Sequence, residues 1–142
     1  MQMAKSIKDV CAEALDSTDG GLGCAVVDLK SGLLLGVAHK ISYFTQSYLD
    51  AVAAAAVDMM RGNKIRAVED MIGNMRGQPE KNLIQEVQMT TKNTYHFMAV
   101  VPEKPDALVV LITSRKANLG LGWVAVRRAL AELPQCKDLA YI

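Results

Sequence analysis

One segment, Thr45 to Arg61 (TQSYLDAVAAAAVDMMR), constrains the fold more than any other. Leu49, Val52, Ala53, Ala56, Val57 and Met60 recur at helical spacing and form one apolar stripe. Tyr48, Ala51, Ala54, Ala55 and Met59 fill the other faces, leaving Asp50, Asp58 and Arg61 as a thin polar strip. A surface helix is polar opposite its core stripe, whereas one that is apolar nearly all round is covered on more than one side. Ala51 and Ala55, one turn apart, would let a second helix come close. Alanine on an exposed face is also what helix propensity alone favours. Tyr48 and Met59 lie on the same side as these alanines, so the spacing points to a second contact.

The same excess runs through the whole chain. Hydrophobic residues make up 51% of its 142 positions but aromatics only 5%, so the apolar content is small and aliphatic. That is more than a small monomer easily hides, and it hints at a surface buried against another chain. The length fits a single domain, residues 1–142. A chain of this size buries roughly 70% of its unfolded surface and needs neither disulfides nor metal to fold. The apolar fraction excludes a disordered chain. A formal net charge of +1 argues against nucleic acid as the main partner, which calls for a basic excess. No run reaches the roughly 20 apolar residues that span a bilayer, so no membrane insertion is expected. Met1 to Asp9 lacks the apolar run of a signal peptide, and a cytoplasmic location is expected.

Catalytic chemistry has little to work with. Cys11, Cys24 and Cys136 are odd in number and contain no CxxC pair, so neither a disulfide framework nor a zinc site is indicated. Cys11 and Cys24 fall on apolar faces, where cysteine acts as a small hydrophobe. His39 and His96 are the only imidazoles, and no carboxylate or cysteine adjoins either in sequence. Gly120-Leu-Gly122-Trp-Val-Ala125 matches GxGxxA at a helix start. A dinucleotide site needs the glycine turn directly after a strand and an acidic residue on a further strand. Here Ser114 to Asn118 intervene, and close packing accounts better for the glycines. No catalytic residue, cofactor or metal is expected.

The remaining segments give an order of elements. Ile7, Val10, Cys11, Ala14 and Leu15 form a helical stripe, with Ser6 and Asp9 as a capping box. Gly23 to Leu29 and Leu33 to Ala38 read as a hairpin about Lys30-Ser31-Gly32. Gly62-Asn63 interrupts the alanine-rich helix, and Ile65, Val68, Ile72 and Met75 then predict a shorter amphipathic helix stopped by Gly77 and Pro79. Leu83 to Thr90 has the polar profile of an edge strand. Tyr95 to Val101 and Ala107 to Thr113 are apolar strands around a turn at Glu103 to Asp106. Asn118 caps a last helix with Leu119, Trp123, Val126, Leu130 and Leu133 as its core stripe and Arg127 and Arg128 outward; Pro134 ends it. Tight loops between strands imply an antiparallel sheet, and its apolar strands need helices on both faces. The expected class is α+β, a five-stranded antiparallel sheet in the order α-β-β-α(-α)-β-β-β-α.

This order, and particular words within it, resembles the roadblock / dynein light chain family, including its bacterial small-GTPase regulators. The words are Gly23-Cys-Ala-Val-Val-Asp-Leu-Lys-Ser-Gly32 before a second aliphatic strand, and the helix Tyr48 to Met60. Glu86-Val-Gln-Met-Thr-Thr91 leading into Tyr95-His-Phe-Met98, and Ala107 to Thr113 before the helix at Asn118, complete them. The resemblance implies one central helix on one sheet face and the two terminal helices on the other. It also implies a homodimer that pairs third strands into one sheet and packs central helices together. Mapped onto this chain, the implied dimer and partner surface is Tyr48, Ala51, Val52, Ala55, Asp58 and Met59 on the helix, with Glu86, Gln88 and Thr90 on the strand. The implied role is a non-catalytic regulatory or scaffold module that binds a small Ras-like GTPase. A small-molecule sensor of profilin- or PAS-like layout is the alternative. The resemblance gives no role to the extension Gly62 to Arg76.

Overall fold

A computed structural model describes residues 5–140 and 142. Helix α1 (Ile7–Asp16) starts where Ser6 accepts a hydrogen bond from the Asp9 amide while Asp9 accepts one from the Ser6 amide, a complete capping box. Strands β1 (Gly21–Asp28) and β2 (Leu34–His39) form the first hairpin. Helices α2 (Gln46–Arg61) and α3 (Asn63–Arg76) follow, separated by Gly62 alone, whose backbone is extended. Strands β3 (Glu86–Thr90), β4 (Thr94–Val101) and β5 (Lys104–Ser114) lead into α4 (Leu119–Glu132). Two 3₁₀ turns, Leu133–Gln135 and Lys137–Leu139, come after it.

The five strands form one antiparallel sheet in the order β2-β1-β5-β4-β3. Strand period two then divides the core. Ala107, Val109 and Leu111 of β5 face one side with Phe97 and Ala99 of β4, and meet α1 and α4. Leu108, Val110 and Ile112 face the other with Met98, and meet Ala53, Ala56 and Met60 of α2. Both faces of the central strands are therefore covered, as their continuous apolar runs require.

Four expectations need correction. The Ile65, Val68, Ile72, Met75 stripe does not face the core: Val68 and Met75 are 54% and 77% exposed, while Glu69 and Gly73 are buried. The reason lies in the loop after α3. It folds back so closely that a Cβ at Gly73 would lie 2.9 Å from the Gln78 carbonyl, and the Glu69 carboxylate accepts the Leu83 amide at 2.7 Å. Residues 83–85 are consequently loop, and β3 begins at Glu86. The β4–β5 turn is also tighter than expected. It is made by Pro102 and Glu103, with Glu103 at a φ of 66°, and Lys104 already opposes Val101. Pro105 and Asp106 lie within β5, where the register shift after Val100 accommodates them. In α4 the core stripe omits Leu119, which is 41% exposed, and Trp123 is only half-buried.

Candidate interaction surface

The central helix is held firmly at both ends. At its start the Thr45 hydroxyl accepts the Tyr48 amide at 3.2 Å. At its end Arg61 donates to the Asp106 carboxylate at 2.5 Å and to the Pro105 carbonyl. Lys30 reaches the other Asp106 oxygen at 3.3 Å. The Arg61 guanidinium, and after it Lys30, hold the Asp106 carboxyl below the usual carboxylate range. A cation in the last turn also opposes the helix dipole.

Between these anchors α2 divides as its sequence does. Leu49, Ala53, Ala56 and Met60 are buried on the sheet. Tyr48, Ala51, Ala54, Ala55 and Asp58 are exposed on the opposite side. Val52 and Met59 are half-buried and lean on the inner core, so they border the outer face rather than lie within it. Tyr48 belongs to a ring cluster with its neighbours. It stacks on the buried Phe44 at 4.8 Å, and the 66%-exposed Tyr43 meets Phe44 edge-on at 5.3 Å.

Strand β3 is a sheet edge and pairs only with β4. Glu86, Gln88 and Thr90 are exposed, and Val87 and Met89 half-buried. Arg127 of α4 grips Glu86 at 2.6 and 3.3 Å while resting over the Trp123 ring. That contact lowers the Glu86 pKa below its usual range. The side chains of Glu86, Gln88 and Thr90 thus project on the α4 side of the sheet. Val87 packs with the core beneath α2. The predicted helix and strand residues do not form one patch: α2 lines a cavity with β1 and β2, and β3 is the other edge of the sheet. Val87 and Met89, missed in the sequence, are the β3 side chains on the α2 face; strand alternation within Leu83 to Thr90 was the available signal.

The histidines and cysteines are dispersed. His39 is exposed at the end of β2, where its Nδ1 accepts the Ile41 amide. His96 lies in β4, 2.9 Å from the Thr94 hydroxyl, and burial lowers its pKa. Cys11, Cys24 and Cys136 are buried free thiols. Contact with Cys11, together with burial, pushes the Cys24 thiol well up, which leaves it a packing group. Among the described residues no cluster of three potential metal ligands occurs, and no helix is long and apolar enough to cross a membrane. Gly122 of the GxGxxA word packs directly on Phe97, where a Cβ would lie 2.4 Å from the ring. An apolar cavity between β1, β2 and α2 has a volume of about 20 Å³. That is room for about one water, so any small-molecule ligand would have to open it.

No protein-family model and no curated protein sequence matches the chain. Solved structures do. The chain is similar to MglB of Myxococcus xanthus at 18% identity, covering 89% of this chain and 90% of that one, with a TM-score of 0.61. It is similar to a Roadblock/LC7 domain from Streptomyces avermitilis at 14% identity, covering 92% and 97%, with a TM-score of 0.66. It is similar to the gliding protein MglB of Thermus thermophilus at 20% identity, covering 98% and 92%, with a TM-score of 0.65. The likeness at these identities is one of architecture: the chain has the roadblock fold.

Proposed function

We propose that this chain is a non-catalytic, homodimeric regulatory or scaffold module that binds a small Ras-like GTPase in the cytoplasm. The observation that carries the reading is the outer face of α2. It is a firmly anchored helix whose exposed side is built of alanines and a tyrosine, on a sheet whose β3 edge is unpaired. Exposed alanines suit a close helix–helix contact, and an open edge suits strand addition. Two copies joined at β3 would bring their α2 helices side by side and present a continuous surface to a third protein. The similarity in fold to MglB proteins supports a place in a GTPase system. A specific complex with such a partner would bury roughly 1,200–2,000 Å² in total.

The test is a pull-down of Ras-like GTPases from the same genome, each loaded with GTP or GDP. The expected result is capture that depends on the nucleotide. No nucleotide-dependent capture of any candidate would refute the GTPase reading. The dimer is tested separately by sedimentation at micromolar concentration, with Ala55→Arg expected to run as a monomer. Native-dimer mass for that variant would place the dimer contact elsewhere.

A further inference from the structure

We infer that β3 pairs with β3 of a second copy in one register, with the two-fold axis at Gln88. Gln88 of one copy then opposes Gln88 of the other, Glu86 opposes Thr90, and Val87 opposes Met89. The inference rests on the proposed dimer through β3. It adds the residue on the axis and the contacts that select it.

The first observation is which backbone groups of β3 are free. Thr91 donates its amide to the Thr94 carbonyl at 2.9 Å, and Val100 donates to the Gln85 carbonyl at 2.9 Å. Both pairs continue the register that joins Glu86 to Ala99 and Thr90 to Tyr95. In an antiparallel ladder hydrogen-bonded and non-hydrogen-bonded pairs alternate. Gln85, Val87, Met89 and Thr91 therefore turn their backbone groups to β4, while Glu86, Gln88 and Thr90 turn theirs to the open edge. No side chain or loop backbone of the described residues bonds to them there. The strand is also regular. Its five residues keep an unbroken register on β4, whereas the other edge strand, β2, pairs across a register shift at Val26/Val27. β3 has neither proline nor lysine, residues that blunt an exposed edge, and its single charge, Glu86, is held by Arg127.

The second observation is that only one register uses all of these groups. Outward residues must meet outward residues, so even positions oppose even positions. An axis at Gln88 engages the backbone of Glu86, Gln88 and Thr90 in both copies. An axis at Val87 sets Thr90 against Ile84, in the loop before the strand, and one at Met89 sets Glu86 against Lys92, in the turn after it. An axis at Thr90 runs both Glu86 and Gln88 past the end of the strand. An axis at Glu86 puts the two Glu86 carboxylates directly opposite, which destabilises a strand pair.

The third is side-chain fit. Pairing of even with even positions keeps each face of the sheet on the same side in both copies. On the α2 face the half-buried Val87 and Met89 of one copy meet Met89 and Val87 of the other. They close an apolar seam continuous with the core that already holds Val87. On the α4 face Glu86, gripped by Arg127, faces a neutral hydroxyl. The Glu86 Cα atoms of the two copies stand about 14 Å apart at this offset. The two Gln88 amides meet on the axis, each with donors and an acceptor to offer.

The experiment forms disulfides between exposed β3 positions of the full chain, the native thiols being buried. Glu86→Cys, Gln88→Cys and Thr90→Cys are oxidised with copper phenanthroline, each alone and in pairwise mixtures. Directly opposed residues of this register have Cα atoms about 5.5 Å apart, within disulfide reach. The expected products are an 88-to-88 cross-link and, in the mixture, an 86-to-90 cross-link, both at least tenfold faster than 86-to-86 or 90-to-90. A faster 86-to-88, 88-to-90 or 86-to-86 product would put the axis elsewhere on β3, overturning the inference and leaving the β3 dimer standing. Sedimentation of the wild type separates the other outcomes. A dimer at micromolar concentration that forms none of these cross-links would place its contact away from β3 and overturn the inference. A monomer would overturn both the inference and the proposed dimer. Gln88→Pro is a second measurement, since it removes an N–H that the chain does not use within its own sheet. The dimer Kd should rise at least tenfold, and a Kd within twofold of wild type would overturn the register.

Discussion

Arg61 is the residue whose removal reports most directly on how α2 is held. Arg61→Met keeps most of the apolar stem and deletes the two contacts to Asp106 and Pro105. Two hydrogen bonds from a charged donor would be worth about 1.5–3 kcal/mol each if fully enclosed. The Arg61 and Asp106 side chains are 13% and 18% exposed, and Lys30 stays beside the carboxylate, so solvent and a spare cation soften the loss. A cost of about 1.5–2.5 kcal/mol is expected. At about 2.1 cal/mol/K per residue the unfolding entropy of this chain is roughly 0.3 kcal/mol/K, so Tm should fall by about 5–8 °C. Acid should erase the difference. The folded carboxyl of Asp106 titrates below its unfolded value, so the pair stabilises fully above the unfolded pKa of about 3.9 and fades as pH falls through the folded one. Urea unfolding of both proteins from about pH 7 down to about pH 2.5 checks this. A gap below about 0.5 kcal/mol at neutral pH would refute the account of how α2 is anchored. So would a gap that fails to narrow below about pH 4.

Two further perturbations follow from packing. Gly122→Ala drives a methyl to within 2.4 Å of the fully buried Phe97 ring, so despite a gain of about 1 kcal/mol in helix propensity the net should be a loss of about 1–2 kcal/mol in denaturant unfolding; an unchanged or raised stability would show that α4 can move off the sheet. Glu69→Ala removes the acceptor of the Leu83 amide, and hydrogen exchange at Leu83 should quicken at least tenfold while exchange in β5 is unchanged; slow exchange at Leu83 in the variant would mean that the loop is held by something else.

Much of the architecture is legible in the sequence because its signals are local. Ser6 and Asn118 each cap the helix that their position predicts. The continuous apolar run at β5 foretells a strand covered on both faces. Tyr48, Ala51, Ala55 and Asp58 of α2 are exposed, off the buried stripe that the spacing predicts. Helix α3 shows what periodicity leaves open. A stripe at helical spacing says that one face is apolar, but not that this chain covers it. Gly73 and Glu69 decide the packing instead, through a backbone contact and a bond to an amide, neither of which has a sequence signature. Pro105 misled for a related reason. Proline suggests a turn, yet in a strand with a register shift its missing N–H costs nothing there. The resemblance groups Glu86, Gln88 and Thr90 with the helix, and the pleat shows that they project on the α4 face of the sheet instead.

The pairing of β1 with β5 has a consequence for how the chain is made. β1–β2 and β3–β4 are each joined by short-range contacts, but Gly21 to Asp28 must find Ala107 to Thr113 before the two halves become one sheet. The first hairpin therefore keeps one long apolar flank unpaired until β5 has followed it out. Contacts so distant along the chain close slowly. For that interval the nascent protein exposes a strand edge that the finished molecule never shows, and its demand for chaperones should rise and fall with the appearance of β5.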